Sequence, residues 1–431
     1  MTEFILLGIF SLALLGCVIG NLPILLAMTM GFFLFFGYGL QRGHSCPQLC
    51  QLAFAGIRTV QNILLTFLLI GIITAFWRAG GTIPFIVYYA ASLCSPSLIL
   101  LMSFLLCCLV SVLTGTAFGS AATMGVICMT MANCMGADPL YTGGAILAGV
   151  YFGDRCSPMS TSALLVSALT GTDLFTNIRI MLRTAWCPFA ITCIIYGILG
   201  LSMSAQPAAS QVQDIFAASF QFHPFVLVPA ILIIALSFFH LDVKRIMGLS
   251  ILTSGAAAIF IQQMPVAALL QISLTGYHPP DAELAALLSG GGILSMLNVF
   301  AIVCLSACYA GLFAGTGFLD GIQKQLTKLS HRVTPFGAVL LTSLLTGCIA
   351  CNQSLTILLT HQLCQKLEPD AQRFASYLEN TAVVTAPLIP WSIASAVPLA
   401  SVAAPAASIL AAAYLYLLPL WSYYNERKQN G

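Results

Sequence analysis

The chain has 431 residues, of which 59% are hydrophobic and 6% are charged, and its formal net charge is +2. Soluble domains carry about 25% charged residues, so this composition excludes a water-facing globular protein and leaves no soluble domain for an enzyme or nucleic-acid site. Apolar runs close to the ~20 residues that cross a bilayer as a helix recur along the chain. We therefore expect an all-α, polytopic protein of the cell (inner) membrane, with the lipid bilayer as a partner.

The first apolar run covers residues 4–20. It has no basic segment before it and no small-residue cleavage site after it. A secretory signal peptide needs both features. We interpret this run as a retained transmembrane helix.

Two groups of cysteine and histidine have the spacing of a redox or metal motif. Cys348 and Cys351 lack the soluble βαβ context of a redox motif, and His44, Cys46 and Cys50 lack a fourth ligand. We expect these side chains to be packing or reduced spectator groups. The sequence therefore predicts no resident metal ion and no cofactor.

Basic residues cluster in the segments between apolar runs, and such segments are typical of the cytoplasmic side. They are Arg42 and Arg58, Arg179 and Arg183, Lys244 and Arg245, Lys324 with Lys328 and Arg332, Lys366 and Arg373, and Arg427 with Lys428. Residues 205–220 and 276–289 carry only acidic charges and are expected outside. This pattern predicts that both termini lie in the cytoplasm.

The chain also resembles itself weakly at a nearly constant shift of 229 to 235 residues. Residues 79–82 match 314–317, residues 113–115 match 345–347, and residues 157–159 match 386–388, in unbroken order. Equivalent loops in the two halves carry opposite charge bias. We therefore predict two inverted-topology repeats, at 1–214 and 215–431, the construction that places transport sites near the membrane midplane.

Four polar segments with glycine or proline interrupt apolar runs in symmetric pairs. They are residues 114–123 and 346–354, and residues 153–162 and 379–392. Proline removes a backbone donor and ends or kinks a helix, and unwound backbone at membrane depth is tolerated only where it is buried or lines a cavity. We predict broken helices or re-entrant hairpins there, and a transport site between them.

At these segments the sequence resembles the NhaC family of sodium/proton antiporters. The similar stretches are YFGDRCSPMSTSALLVSALTGTDLFTNIRIML at 151–182, FWRAGGTIP at 76–84, TGTAFGSAATMGV at 114–126 and ENTAVVTAPLIPW at 379–391. The resemblance covers most of the chain in the same order. It implies a secondary transporter that exchanges Na⁺ and H⁺.

Three positions that are acidic in the family pattern are neutral here. Thr161 stands where the family has an aspartate, Asn352 replaces the aspartate of an Asp-Gln pair, and Asn380 replaces the aspartate of a Glu-Asp pair. Asp154 and Glu379 remain. The lower negative charge weakens the implication of ordinary sodium/proton exchange.

Asp154 is the first candidate for the ion-coupling carboxylate and Glu379 the second, because ionisable residues at membrane depth indicate function. Burial favours the protonated form of a carboxylate and a bound cation favours the ionised form, which couples the two ions. Hydroxyl and amide groups supply oxygen ligands for Na⁺. The predicted ligands are Thr114, Thr116, Ser120, Ser157, Ser160, Thr161, Ser162, Asn352, Gln353, Asn380, Thr381 and Thr385.

Structural alternatives stay open for each group. Asp154 could form an ion pair with Arg155 or Arg78, and Glu379 could cap a helix end near Lys366 and Arg373. The hydroxyl groups could serve tight helix packing. Arg78 and Arg155 could instead hold a carboxylate substrate in a bidentate manner.

The leading prediction is thus a non-enzymatic transporter of the Na⁺/H⁺ antiporter type. The alternative is a Na⁺- or H⁺-coupled transporter of a small organic solute, a carboxylate or an amino acid. The loss of acidic positions favours the alternative, and the GDR-SP-S frame at 153–160 favours the antiporter. The sequence leaves open whether the chain forms a homodimer.

Overall fold

The structure is a computed structural model that describes residues 2–20, 22–91, 95–202, 209–237, 239, 241, 243–318 and 334–430. These residues form helices and turns, with one isolated antiparallel bridge between Tyr277 and Gly290. The prediction of an all-α fold is confirmed. The basic residues Lys324, Lys328 and Arg332 lie outside the described residues.

The helices of the first half of the chain are α1 (Thr2–Ile19), α2 (Ile24–Gln41), α3 (Cys46–Thr59), α4 (Gln61–Ala79), α5 (Thr82–Ala91), α6 (Ile99–Thr114), α7 (Ala117–Ser120), α8 (Val126–Cys134), α9 (Pro139–Cys156), α10 (Thr161–Thr170), α11 (Leu174–Ser202) and α12 (Ala209–Ser219). A π-helical turn at Ala121–Gly125 joins α7 to α8.

The helices of the second half are α13 (Val228–Ser237), α14 (Val243–Phe260), α15 (Val266–Thr275), α16 (Ala282–Leu288), α17 (Leu297–Thr316), α18 (Pro335–Ala350), α19 (Gln353–Cys364), α20 (Ala371–Asn380), α21 (Ala382–Thr385), α22 (Ile393–Ser401) and α23 (Ala413–Asn430). Short 3₁₀ turns occur at Pro96–Leu98, Pro224–Leu227, Ile293–Met296, Ala386–Leu388 and Ala406–Ala411.

Several helices have the length and apolar composition of membrane spans. Within the described residues there are five such spans, or eight if each of three bent helix pairs is one span. The bend between α4 and α5 is 60°, and the bend between Ala371–Leu388 and α22 is 58°. These spans confirm a polytopic membrane protein with broken helices.

The segment with Arg42 and Arg58, expected as a loop, contains helix α3. Gln48 accepts a hydrogen bond from the backbone N–H of Ser45 at 3.0 Å, which caps the helix start. A Cβ on Gly56 would lie 1.9 Å from the carbonyl oxygen of Ala307 in α17. Because glycine lets the two backbones approach this closely, α3 packs along α17.

The backbone breaks in the same way after α6 and after α18. Gly115 has φ 66° and ψ 20°, and Thr116 follows with φ −144° and ψ 124°. Cys351 has φ 53° and ψ 15°, and Asn352 follows with φ −149° and ψ 135°. Each pair ends one helix in a left-handed residue and starts the next from an extended N-cap.

Each of these breaks contacts a second break in its own half. A Cβ on Gly115 would lie 2.7 Å from Met159, in the turn between α9 and α10. In the other half, the N–H of Ile393 donates to the carbonyl oxygen of Cys351 at 2.9 Å. The similar breaks after α6 and α18 agree with two related halves. The division into repeats at residues 214 and 215 stays a prediction.

The two halves share one apolar core. Tyr151 in α9 donates to the carbonyl oxygen of Ala394 in α22 at 2.6 Å, and Trp77 in α4 donates to Ser250 in α14 at 3.0 Å. A Cβ on Gly144 would lie 2.5 Å from the Cβ of Ala411. The broken helices are therefore fixed against each other in the interior of the protein.

Candidate ion-coupling site

Asp154 lies in the last turn of α9, directly before the break at residues 157–160, and its side chain is 4% exposed. Ser160 and Ser162 donate to its two carboxylate oxygens at 3.1 and 2.9 Å. Gln353, from the other half of the chain, donates to the same carboxylate at 3.3 Å. Three of the predicted site residues are thus brought together around the predicted carboxylate.

Three helix amino ends meet at Asp154. Ser160 is the N-cap of α10, and Gln353 is the first residue of α19. The backbone N–H of Ala117, the first residue of α7, also interacts with the carboxylate. Helix amino ends attract negative charge, so this arrangement offsets part of the cost of burying an anionic side chain without a basic partner.

Neither predicted ion pair of Asp154 forms among the described residues. Arg155 and Arg78 both make their hydrogen bonds elsewhere. The oxygen atoms of Asp154, Ser160 and Ser162 form a cluster joined by bonds of 2.8 to 3.1 Å. Carboxylate and hydroxyl oxygens are the ligands that hard cations prefer, so the cluster is chemically suited to Na⁺.

Arg155 is fully buried, and it holds several helices together. It donates to the carbonyl oxygens of Glu379 and Met181, to the side chains of Asn380, Thr184 and Tyr414, and to the sulfur of Cys156. These partners belong to α9, α11, α20 and α23. Because its donors already have partners within the protein, this arrangement favours a structural role for Arg155, although not the predicted ion pair with Asp154, over binding of a carboxylate substrate.

Arg78 lies at the end of α4, before the bend into α5. It donates to the carbonyl oxygen of Thr74 at 2.9 Å, and its Nε is buried without a hydrogen-bond partner in the described part of the chain. Gly290, in the second half, lies against the guanidinium. The described hydrogen bond of Arg78 is thus made within α4 and not with the groups that contact Asp154.

Glu379 lies near the end of α20 and is fully buried. Within the described residues, neither of its carboxylate oxygens has a hydrogen-bond partner. Arg373, which the alternative paired with it, lies instead 3.5 Å from Glu368 and 3.8 Å from Glu426. Glu379 is therefore a buried acid and not a helix cap at the membrane surface.

A second hydroxyl cluster occupies the break after α6. Thr114 and Ser120 share a hydrogen bond of 2.8 Å, and Ser120 also donates to the carbonyl oxygen of Thr116 at 2.8 Å. Thr116 caps α7 through the N–H of Gly119. These three predicted ligands lie together beside Ala117, whose N–H interacts with Asp154.

Other predicted ligands are not part of the Asp154 cluster. Ser157 accepts from the N–H of Met159 at 3.2 Å, and the side chain of Thr161 is exposed. Thr381 donates to the carbonyl oxygen of Tyr377 at 2.7 Å, and Thr385 donates to Ser343 at 3.3 Å. The structure does not bring these hydroxyls into contact with Asp154.

Asn352 lies at the edge of a cavity of about 780 Å³ between α3, α17 and α19. The other polar lining residue is Ser354, whose N–H donates to Asn352 at 2.9 Å. The remaining lining residues are Leu52, Ala55, Gly56, Val60, Leu165, Ala307, Ala310, Gly311, Ala314, Gly315, Ala350, Leu355, Leu358 and Ile393. The cavity is much larger than a sodium ion and mostly apolar.

Gln353, which the sequence predicted as a ligand, donates to the carbonyl oxygen of Val383 at 3.0 Å as well as to Asp154. The sequence did not indicate two further groups near the site. Tyr414 and Thr184, which accept from Arg155, carried no recognisable signal. The small residues of α17 at 307, 311 and 315 could have indicated its close contact with α3.

A model of the Na⁺/H⁺ antiporter family matches residues 149–418 of this chain. The chain is 28% identical over 403 residues to the malate-2H(+)/Na(+)-lactate antiporter of Bacillus subtilis (strain 168), covering 90% of this chain and 86% of the relative. It is 29% identical over 342 residues to the Na(+)/H(+) antiporter NhaC of Alkalihalophilus pseudofirmus, covering 76% and 73%. It is 26% identical over 408 residues to the arginine/ornithine antiporter ArcD of Halobacterium salinarum, covering 91% and 82%.

Proposed function

The chain belongs to the Na⁺/H⁺ antiporter family, and on that premise we propose that Asp154 is the carboxylate that couples Na⁺ to H⁺. Antiporter-type secondary transport follows from membership of the family. The region that the family model matches includes Asp154 and Glu379. The observation that supports this role is the contact of Asp154 with Ser160 and Ser162 on one side and with Gln353 on the other. The carboxylate thus touches both halves of the chain.

The proposed exchange depends on the negative charge at Asp154. When Asp154 is ionised, its oxygens and the lone pairs of Ser160 and Ser162 can surround Na⁺. When a proton binds at the site, the negative charge that holds the cation falls and the cation leaves. Movement of the two halves against each other would open this position to either side in turn, as in other transporters with broken helices.

The second proposal concerns the membrane orientation. Arg42 forms an ion pair with Glu3 at 2.6 Å, so the start of α1 lies beside a basic segment. Arg373 lies 3.8 Å from Glu426, so the end of α23 lies beside another basic segment. Basic segments are typical of the cytoplasmic side, and both termini are accordingly assigned to the cytoplasm of a cell membrane.

One assay tests the sodium/proton reading. Purified protein is placed in liposomes that contain a pH-sensitive dye, and Na⁺ is added outside without any organic solute. Entry of Na⁺ should drive protons out and make the lumen alkaline, whereas choline at the same concentration should have no effect. No pH change with Na⁺, in liposomes that respond once an organic solute is added, would contradict sodium/proton exchange.

The cavity beside Asn352 favours a second candidate, exchange that includes a small organic solute. Its volume of about 780 Å³ is ample for a carboxylate or an amino acid, and it is adjacent to Gln353. Two similar antiporters are named for malate and lactate or for arginine and ornithine. Counterflow of labelled carboxylates and amino acids into the same liposomes tests this candidate, and uptake equal to protein-free liposomes for every solute would exclude these solutes.

A further inference from the structure

Resting on the proposed antiport, we propose that Glu379 is a separate proton-binding site, reached from the cytoplasmic side through a crevice between α11 and α20. Asp154 would bind Na⁺, and Glu379 would carry the exchanged proton. The proposal starts from a carboxyl group that is fully buried and that lacks a hydrogen-bond partner among the described residues. An isolated buried carboxylate ion is costly, so the side chain is suited to carry a proton.

The surroundings of Glu379 include a line of polar side chains. Glu379, Ser376, Gln372 and Asn177, together with Ile180 and Met181, line a crevice that has no room for a water molecule. Residues 372, 376 and 379 lie on one face of α20, because they are spaced four and three residues apart. This polar face is turned towards α11 inside the protein.

The polar line continues to the surface through hydrogen bonds. Gln372 donates to Asn177, and Asn177 donates to Thr172 at 2.8 Å. Thr172 precedes the exposed Asp173 in the turn between α10 and α11. The nearby segments carry Arg179, Arg183, Lys366 and Arg373, which the positive-inside rule assigns to the cytoplasm.

The charged and titratable groups around α20 limit how Glu379 can be paired. From α9 these are Asp154, Arg155 and Cys156; from α23, Tyr414 and Glu426; from α18 and α19, Cys348, His361 and Cys364; and from α11, the exposed Arg179 and Arg183. Arg155 hydrogen-bonds the backbone carbonyl oxygen of Glu379 at 3.1 Å, not its carboxylate. The carboxylate is thus left available for a proton.

Electrostatics links the two acids. Asp154 and Glu379 interact through space with each other and with Arg155. Two negative charges in a region of low dielectric constant repel each other. A cation on Asp154 therefore favours release of the proton from Glu379, and loss of the cation favours its return, which is the sign that antiport requires.

The proton step is a simple transfer. A proton from cytoplasmic water forms an O–H bond with a carboxylate oxygen of Glu379, and the group becomes neutral. In the reverse step the O–H bond breaks and the proton returns to water. The crevice is too narrow for water in this conformation, and the carboxylate of Glu379 has no hydrogen-bond partner among the described residues. The transfer therefore follows opening of the crevice and entry of water along its polar side chains.

The test separates sodium movement from proton movement in liposomes. Exchange of ²²Na⁺ for Na⁺ at equal pH reports the Asp154 site, and sodium-driven pH change reports the complete antiport. We expect E379Q to retain sodium exchange and to lose sodium-driven proton movement at least tenfold, equivalent to about 1.4 kcal/mol of barrier. The matched control E283Q, which removes an exposed acid from α16, should retain both activities.

A second pair of variants covers the case in which E379Q does not fold. Q372L and S376A keep Glu379 but interrupt the polar line, and they should slow proton movement while sodium exchange continues. Equal loss of both activities in folded variants, or full proton movement in E379Q, would overturn the proposal. If the wild-type protein itself shows no sodium-driven proton movement, the proposed antiport fails instead.

Discussion

At the residue scale, the two central charges of the site differ in what surrounds them. Asp154 contacts hydroxyl, amide and backbone donors, whereas Arg155 is the centre of a network with backbone and side-chain acceptors. Buried charges are tolerated when every polar contact is satisfied. The oxygen atoms around Asp154 can accept a cation, whereas the network around Arg155 holds helices in place.

The sequence indicated Asp154 and offered Ser160, Ser162 and Gln353 among the candidate ligands, but it did not show which candidates would contact Asp154. A carboxylate beside a proline and several hydroxyls is conspicuous in a chain with 6% charged residues. Gln353 is 199 residues away, and no periodic pattern indicates that its amide would reach Asp154. The acceptors of Arg155 come from helices that are distant in sequence. For that reason the sequence alone could not distinguish a substrate ligand from an ion-pair partner.

Replacing Arg155 by lysine should destabilise the protein. Lysine has fewer donors and lacks the planar guanidinium, so several buried acceptors would lose their hydrogen bonds, at a cost of roughly 3 kcal/mol or more. Thermal unfolding of the purified protein in detergent measures the effect. R78K is the matched comparison and should shift the midpoint less, because Arg78 makes one hydrogen bond in the described structure. Equal midpoints for R155K and wild type would contradict the structural role.

At the element scale, the breaks in the helices are the features that build the site. The sequence located all four polar segments, because glycine, proline and hydroxyl residues are rare inside apolar helices. The sequence did not show which residues of the two halves correspond at each break. The match of Gly115 with Gly347 relied on glycine, whereas the backbone counterpart is Cys351, which adopts the left-handed conformation without being glycine. Likewise, the second break contains Pro390, and the sequence match had used Pro387.

Helix α3 shows why a charge-based loop assignment can miss an element. The segment has basic residues at both ends, which marks the membrane side but says nothing about its conformation. The close approach of α3 to α17 depends on Gly56 and Gly311, whose added Cβ atoms would lie 1.9 and 2.1 Å from carbonyl oxygens of the opposite helix. This contact also forms one wall of the apolar cavity.

Substituting alanine for Gly311 should force α3 and α17 apart. Overpacking of a close contact costs about 1–3 kcal/mol, and separation of the helices would change the shape of the cavity. We expect a lower unfolding midpoint and altered solute transport. G37A is the control, because a Cβ on Gly37 in α2 meets no atom within 4 Å. The same midpoint for G311A and G37A would contradict the packing described for α3.

At the scale of the whole molecule, the two halves converge on one carboxylate. Contacts such as those from Tyr151 to Ala394 and from Gln353 to Asp154 cross between them. The similar backbone breaks after α6 and α18 agree with two related halves. The sequence indicated an internal repeat of opposite orientation, but weak similarity at a shift of 229 to 235 residues could not specify which helices would touch.

The orientation can be tested by reporter fusions in a bacterial host. With both termini in the cytoplasm, alkaline phosphatase fused after the C-terminus should be inactive and a fluorescent protein at the same place should be bright. A fusion after residue 280, in a segment expected outside, gives the opposite pattern as a control. Active phosphatase at the C-terminus would contradict the assignment.

The most direct measurement is sodium-driven proton movement by D154N in liposomes, compared with D138N. Both variants exchange an aspartate for asparagine on α9, but Asp138 is an exposed N-cap that asparagine can replace. D154N should remain folded, as judged by its unfolding midpoint, and should show no sodium-driven pH change, while D138N should behave as wild type. Full sodium-driven proton movement by D154N would contradict the central claim that Asp154 couples the two ions.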